Sequence, residues 1–96
     1  MTQYLPTLER EIESLLGPSG RAQPRATVEY TLTTGYAHAL ELEGERLRAE
    51  GRLRMLLRSG EARREQLAAA EVELDRVAKE LGRLRALLAN LRAHAL

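Results

Sequence analysis

A chain of 96 residues is about one domain, and a chain this small often completes its core by association. Its low aromatic content, with no Phe and no Trp, disfavours a compact globular core, whereas abundant Leu, Ala, Glu and Arg is typical of long helices and coiled coils. A net charge of +1 gives no overall field that indicates nucleic acid or membrane binding, and the lack of cysteine excludes disulfides and thiolate metal sites.

The first predicted element is a short amphipathic helix from Leu5 to Leu16. Pro6 suits its first turn, and Gly17-Pro18 is a stop signal. The following residues, up to position 26, have the Pro and Gly content of a loop. We therefore assign residues 1–26 to a short helix with a linker. Its apolar face comprises Leu8, Ile12, Leu15 and Leu16.

Residues 26–34 carry two competing patterns. Apolar residues alternate with Thr and Glu, as in a strand, and the segment is rich in β-branched residues. Val28, Leu32 and Tyr36 also follow helical spacing, and a partner as long as the last helix would have to begin near Thr27. We favour a helix, while a strand would let two chains pair their edges.

Residues 27–96 are predicted to form a long antiparallel helical hairpin with its turn near 58–61. Tyr36 to Arg58 has helical periodicity, Ser59-Gly60 interrupts it, and Glu61 to Leu96 forms a second helix. So short a connection requires the two helices to be antiparallel. In the last helix, apolar residues recur with alternating spacings of three and four, which is a strong coiled-coil signal. These residues are Leu67, Ala70, Leu74, Val77, Leu81, Leu84, Leu88, Leu91 and Ala95.

The helix before the turn has two apolar stripes, and a hairpin partner can cover only one of them. The stripe expected to face the last helix comprises Leu42, Ala49, Leu53 and Leu56. The second stripe comprises Tyr36, Leu40, Gly44, Leu47, Gly51 and Met55. Only Glu41, Glu45, Arg48 and Arg52 mark a clearly hydrated face.

Another element should therefore bury the second stripe. The N-terminal helix could fold back to give a three-helix bundle, or a second copy could give a four-helix bundle. We favour a homodimer that self-associates through this stripe. Gly44 and Gly51 lie one heptad apart on the stripe, and a helix tolerates such glycines at a cost of about 1 kcal/mol each relative to Ala. We favour the interpretation that another helix backbone approaches closely at these positions; the alternative is that the helix merely tolerates the two glycines.

The chain offers little material for catalysis. Two histidines, one aspartate and no cysteine give no Ser/His/Asp or Cys/His arrangement, and no Gly-rich phosphate loop is present. His38, Glu41 and Glu45 share one helical side, but metal-binding bundles use Glu-x-x-His motifs that neither histidine has. We predict no enzyme activity, no metal site and no cofactor.

Arginines concentrate at the hairpin tip, where residues 46–64 hold seven arginines against two glutamates, a local excess of +5. Guanidinium groups bind carboxylates and phosphates, but aromatic residues for base stacking are missing. This charge is compatible with ion pairs within the chain or with plain solvation. It is also compatible with binding of an acidic protein surface, or of a nucleic acid or nucleotide. The candidate partner-binding residues are Arg52, Arg54, Arg58, Arg63 and Arg64.

The expected function is that of a non-catalytic interaction module, such as an adaptor, a regulator or a small assembly chaperone, that binds an unidentified protein partner. Binding of nucleic acid or a nucleotide by the arginine-rich tip is the alternative. No stretch reaches the ~18 apolar residues of a membrane span. Glu9, Glu11 and Glu13 stand where a signal peptide needs its apolar run. We therefore expect a cytoplasmic location without membrane association.

Overall fold

The chain folds into α-helices, and two long helices pack as an antiparallel hairpin that is preceded by a short N-terminal helix. A computed structural model describes residues 5–16 and 25–95. Within these residues the helices are α1 (Leu5–Leu16), α2 (Arg25–Ser59) and α3 (Arg64–Ala95). The predicted all-α class, hairpin and N-terminal helix are confirmed. Most of the predicted linker lies outside the described residues.

The ambiguous segment 26–34 is helical throughout. A strand would place Val28, Tyr30 and Leu32 on one face, but Tyr30 is 71% exposed while Val28 and Leu32 are buried. Burial therefore follows the helical period and not the alternation of a strand. The packed helical face outweighs the β-branched content of the segment, as is common for such weak local preferences.

Gly60 makes the turn after α2, because it adopts a φ of 67°, a left-handed conformation that favours glycine. The hydroxyl of Ser59 donates a hydrogen bond to the carbonyl oxygen of Leu56 (2.9 Å), which satisfies one of the carbonyl groups left unpaired in the last turn. The amide of Glu61 in turn donates to the Ser59 hydroxyl oxygen (3.4 Å). Ser59 and Gly60 together end the helix where the sequence predicts.

The start of α3 differs from the expected Glu61, because the helix begins three residues later, at Arg64. The side-chain carbonyl of Gln66 accepts a hydrogen bond from the Arg63 amide (2.9 Å), and the Leu67 amide donates to the Arg63 carbonyl (3.1 Å). Arg63 therefore occupies the N-cap position, and Gln66 supplies half of a capping box. The local hydrogen bonds of Gln66, not the position of Gly60, set the first residue of this helix.

One compact unit combines α1 with residues 25–39 of α2 and residues 83–95 of α3. Leu8 and Ile12 of α1 are almost completely buried. An ion pair between Glu9 and Arg83 (3.1 Å) links α1 to α3. The N-terminal helix therefore folds back onto the hairpin within this unit and forms a three-helix arrangement there.

The second compact unit, residues 40–82, contains only the adjoining parts of α2 and α3 and the turn between them. Its core is a single seam in which Leu42 and Ala49 of α2, and Ala70, Val77 and Leu81 of α3, are buried. The predicted heptad residues of α3 from position 70 to 91 are buried, apart from a half-buried Leu74. In the described part of the chain, this unit has no third helix.

A substitution at Gly35 tests the close packing of the three-helix unit. Gly35 is buried in α2, and a Cβ atom added there would overlap Leu88 Cδ2 of α3 far inside van der Waals contact. Since Leu88 is itself buried, we expect Gly35→Ala to lower the free energy of unfolding by about 1–3 kcal/mol. Urea denaturation followed by circular dichroism measures the change.

Gly82→Ala is the matched control, because Gly82 is an exposed helical glycine with nothing within 4 Å of an added Cβ. This control should gain up to about 1 kcal/mol from better helix propensity. If Gly35→Ala also gained stability, the proposed close contact between Gly35 and Leu88 would be wrong.

Candidate interaction surface

The side of α2 that faces away from α3 in the hairpin unit is apolar and exposed. Leu40, Leu47 and Met55 are 74%, 55% and 72% exposed. Leu42 and Ala49, which lie two residues further along than Leu40 and Leu47, are buried because each residue turns the helix by 100°. We call the surface formed by Leu40, Gly44, Leu47, Gly51 and Met55 the outer face of α2.

Tyr36, the first residue of the predicted second stripe, belongs to the three-helix unit and is also exposed. Neither α1 nor α3 therefore buries the large apolar residues of the second stripe. The sequence-based expectation that the hairpin partner covers only one stripe of α2 agrees with the burial in the chain.

The glycines of the outer face have open space above them. A Cβ atom added at Gly44 would meet only the guanidinium of Arg48, at 3.3 Å, and one added at Gly51 would meet only that of Arg54, at 4.0 Å. These are the mobile ends of side chains from the same helix, and no backbone of the described chain approaches. Close approach of another helix at these glycines stays a prediction, because none of the described helices of the chain comes near them.

Arginines border the C-terminal half of the outer face. Three of the five predicted tip arginines come together here, while Arg63 and Arg64 lie exposed at the start of α3 and do not line the same groove. Arg48 joins the group. The shallow, open groove that results is lined by Arg48, Gly51, Arg52, Arg54, Met55 and Arg58. The two surfaces predicted separately from the sequence therefore overlap at Gly51 and Met55.

Among the described residues, the groove arginines Arg48, Arg52, Arg54 and Arg58 form no ion pair, although Arg48 and Arg52 also line a small cavity with Glu45 and Glu73. Arg76 donates a hydrogen bond to Glu73 (2.7 Å) that holds the pKa of this carboxyl below its ordinary value, and the charge of Arg52 adds a smaller effect. The groove therefore presents guanidinium groups beside exposed apolar atoms, which suits a ligand with both carboxylates and apolar side chains.

Arg46 is the notable residue that the sequence reasoning missed. The α2 residues of the hairpin seam recur every three or four positions, and position 46 fills the gap between Leu42 and Ala49. The structure leaves Arg46 half-buried there, bound to Glu43 and within 3.7 Å of Glu50. The hydrogen bond to Glu43 raises the pKa of Arg46 above its ordinary value. The gap in the apolar spacing was the available signal.

Charged groups in the hairpin unit are partly shielded. Arg76 of α3 bridges Glu73 and Glu80, with distances of 2.7 and 2.9 Å. Among the described residues, three shielded side-chain atoms lack a hydrogen-bond partner: Glu45 Oε2, Arg46 Nε and Glu80 Oε2. Glu45, predicted to lie on a hydrated face with Glu41, is thus half-buried, whereas Glu41, Arg48 and Arg52 are exposed.

The described residues contain no group of three or more His, Asp or Glu side chains arranged to hold a metal ion, and His38, Glu41 and Glu45 form no such group. None of the described helices combines the length and apolarity needed to cross a membrane. Comparisons with protein-family models, curated proteins and solved structures gave no match to this chain.

Proposed function

We propose that the chain is a non-catalytic helical interaction module that binds another helix through the outer face of α2. The supporting observation is the exposure of Leu40, Leu47 and Met55 after the hairpin has formed and α1 has packed. Burial of one large apolar side chain contributes about 1.5–3 kcal/mol, so covering three of them provides a substantial drive for association.

The rest of the surface is compatible with this role. Exposed Leu, Met and Gly along one helical side allow a second helix to pack closely, and the bordering charges supply orientation and specificity. An adaptor, a regulator or a small assembly chaperone would use such a surface. We propose a homodimer as the first complex to test, with a further protein partner as an additional occupant.

The experiment compares the oligomeric state of the chain and of a double variant, Leu40→Glu with Leu47→Glu. Sedimentation equilibrium should give twice the chain mass of 10.8 kDa for the unmodified protein. The double variant should sediment as a monomer, because two carboxylates on the outer face must lose their hydration to form the contact. Since both positions are exposed, its helical circular dichroism should stay unchanged.

Val72→Glu is the matched control, since Val72 is an equally exposed apolar residue on α3. This variant should retain the mass of the unmodified protein. A monomer at all accessible concentrations, or a dimer that survives the double substitution, would contradict the proposal that the outer face is the association surface.

A second candidate function is binding of nucleic acid or a nucleotide by the tip arginines. The observation that favours it is the groove in which Arg48, Arg52, Arg54 and Arg58 lack ion pairs within the described chain. Such groups would neutralise phosphates, and the bound cations released from the nucleic acid would make binding strongly salt-dependent.

Fluorescence anisotropy with labelled single-stranded DNA and double-stranded RNA tests this candidate. Binding at 20 mM salt should weaken at least tenfold at 200 mM salt. It should be abolished by Arg52→Glu with Arg54→Glu and Arg58→Glu, but retained in Arg25→Glu, which removes an exposed arginine elsewhere on α2. Lack of any anisotropy change at low salt would exclude this function.

A further inference from the structure

The large and small residues of the outer face of α2 follow nearly the same order from either end of the helix. From its first residue to its last the face runs Leu40, Gly44, Leu47, Gly51, Met55, so large and small residues alternate symmetrically about Leu47. A second copy turned end over end would bring Leu40 level with Met55, Gly44 level with Gly51, and Leu47 beside its own counterpart. A two-fold contact requires this kind of self-complementary surface.

We propose that two copies of the chain pair antiparallel through the outer face of α2, with the two-fold axis near Leu47 and Arg48. This inference rests on the proposed function and specifies both its partner and the orientation of that partner. The apolar pattern permits the pairing, and the distribution of charge on the same part of the helix selects it.

Along the border of the outer face that carries Glu41, Glu45, Arg48 and Arg52, the charges change sign at the midpoint, because the two glutamates precede Leu47 and the two arginines follow it. The other border has no such change of sign, since Arg46 precedes Leu47 and pairs with Glu43 and with Glu50, which follows it. In the antiparallel pair, Glu41 of one copy lies two residues, or about 3 Å along the axis, from Arg52 of the other. Arg48 and Glu45 of opposite copies have the same relationship.

The opposite border does not discriminate between orientations, because Glu43 lies two residues from both Glu50 and Arg54 of the second copy and already pairs with Arg46 of its own chain. Glu41 and Glu43 already interact within their own chain, so the second copy adds arginines around carboxylates that are in place. Arg48 and Arg52 have no ion pair among the described residues, and in the antiparallel dimer each approaches a glutamate of the second copy.

A parallel pair would place like charges together. Arg48 would lie beside Arg48 of the other copy, and Arg52 beside Arg52, while the glutamates would gather at the opposite end. Juxtaposed like charges disfavour a contact and discriminate strongly between orientations. The glycines do not discriminate, because close approach at Gly44 and Gly51 suits both orientations.

Engineered cysteines distinguish the orientations cleanly, because the chain has no cysteine of its own. The Leu40→Cys and Met55→Cys variants are prepared separately, and one of them is isotope-labelled. The two are then mixed and oxidised at a concentration at which sedimentation shows a dimer. A disulfide requires Cα atoms within about 7 Å. In the antiparallel pair, identical positions lie about 22 Å apart along the axis, since Leu40 and Met55 are fifteen residues apart.

The mixture should therefore give the mixed disulfide between positions 40 and 55 at least tenfold faster than either disulfide between identical positions. Leu47→Cys should cross-link to itself, because it lies next to the axis in this pairing. Val72→Cys, the exposed control on α3, should not cross-link.

Rapid disulfides between identical positions at 40 and at 55 would show a parallel pair and overturn this inference, while the proposed function would stand. A dimer in which neither the mixture nor Leu47→Cys cross-links would show that another face is used and overturn both. A protein that stays monomeric at every concentration would also remove the proposed function, and this inference with it.

Discussion

The seam between α2 and α3 is the interaction on which the structure depends. It buries the heptad residues of α3, such as Val77 and Leu81, against Leu42 and Ala49 of α2. A helix can present only one stripe to a single neighbour, so that neighbour leaves any apolar surface on the other side of the helix uncovered. In α2 that surface is the outer face, and its exposure follows directly from the geometry of the hairpin.

Periodicity allowed much of the fold to be predicted. The unbroken spacing in α3 identified its buried residues, and the length of α3 favoured a helix at residues 26–34 against local strand preference. Gly35 and Arg46 were missed for physical reasons. A spacing pattern records which side a residue lies on, but the distance between two helices, and the ion pairs that hold Arg46 at the seam, depend on three-dimensional packing.

The candidate surface shows the same division. The sequence separated an apolar stripe from an arginine-rich tip, and each was recognised from composition and spacing. Their overlap at Gly51 and Met55 emerges only when the arginine side chains are placed around the helix. Exposed apolar atoms alone would favour any apolar partner. The guanidinium groups beside them, which have no ion pair among the described residues, add a preference for a partner helix that carries carboxylates. In the dimer that we propose, the glutamates of the second α2 would meet this preference.

The central claim is that α2 carries more apolar surface than its own chain covers, and that association covers the remainder. The Met55 methyl group provides the most direct test of this claim. Nuclear magnetic resonance with a soluble paramagnetic agent measures its solvent accessibility across a dilution series, with the buried Leu42 methyls as an internal reference. We expect Met55 to be protected at high concentration and exposed on dilution, while Leu42 stays protected throughout. Full accessibility of Met55 at every concentration would contradict the account.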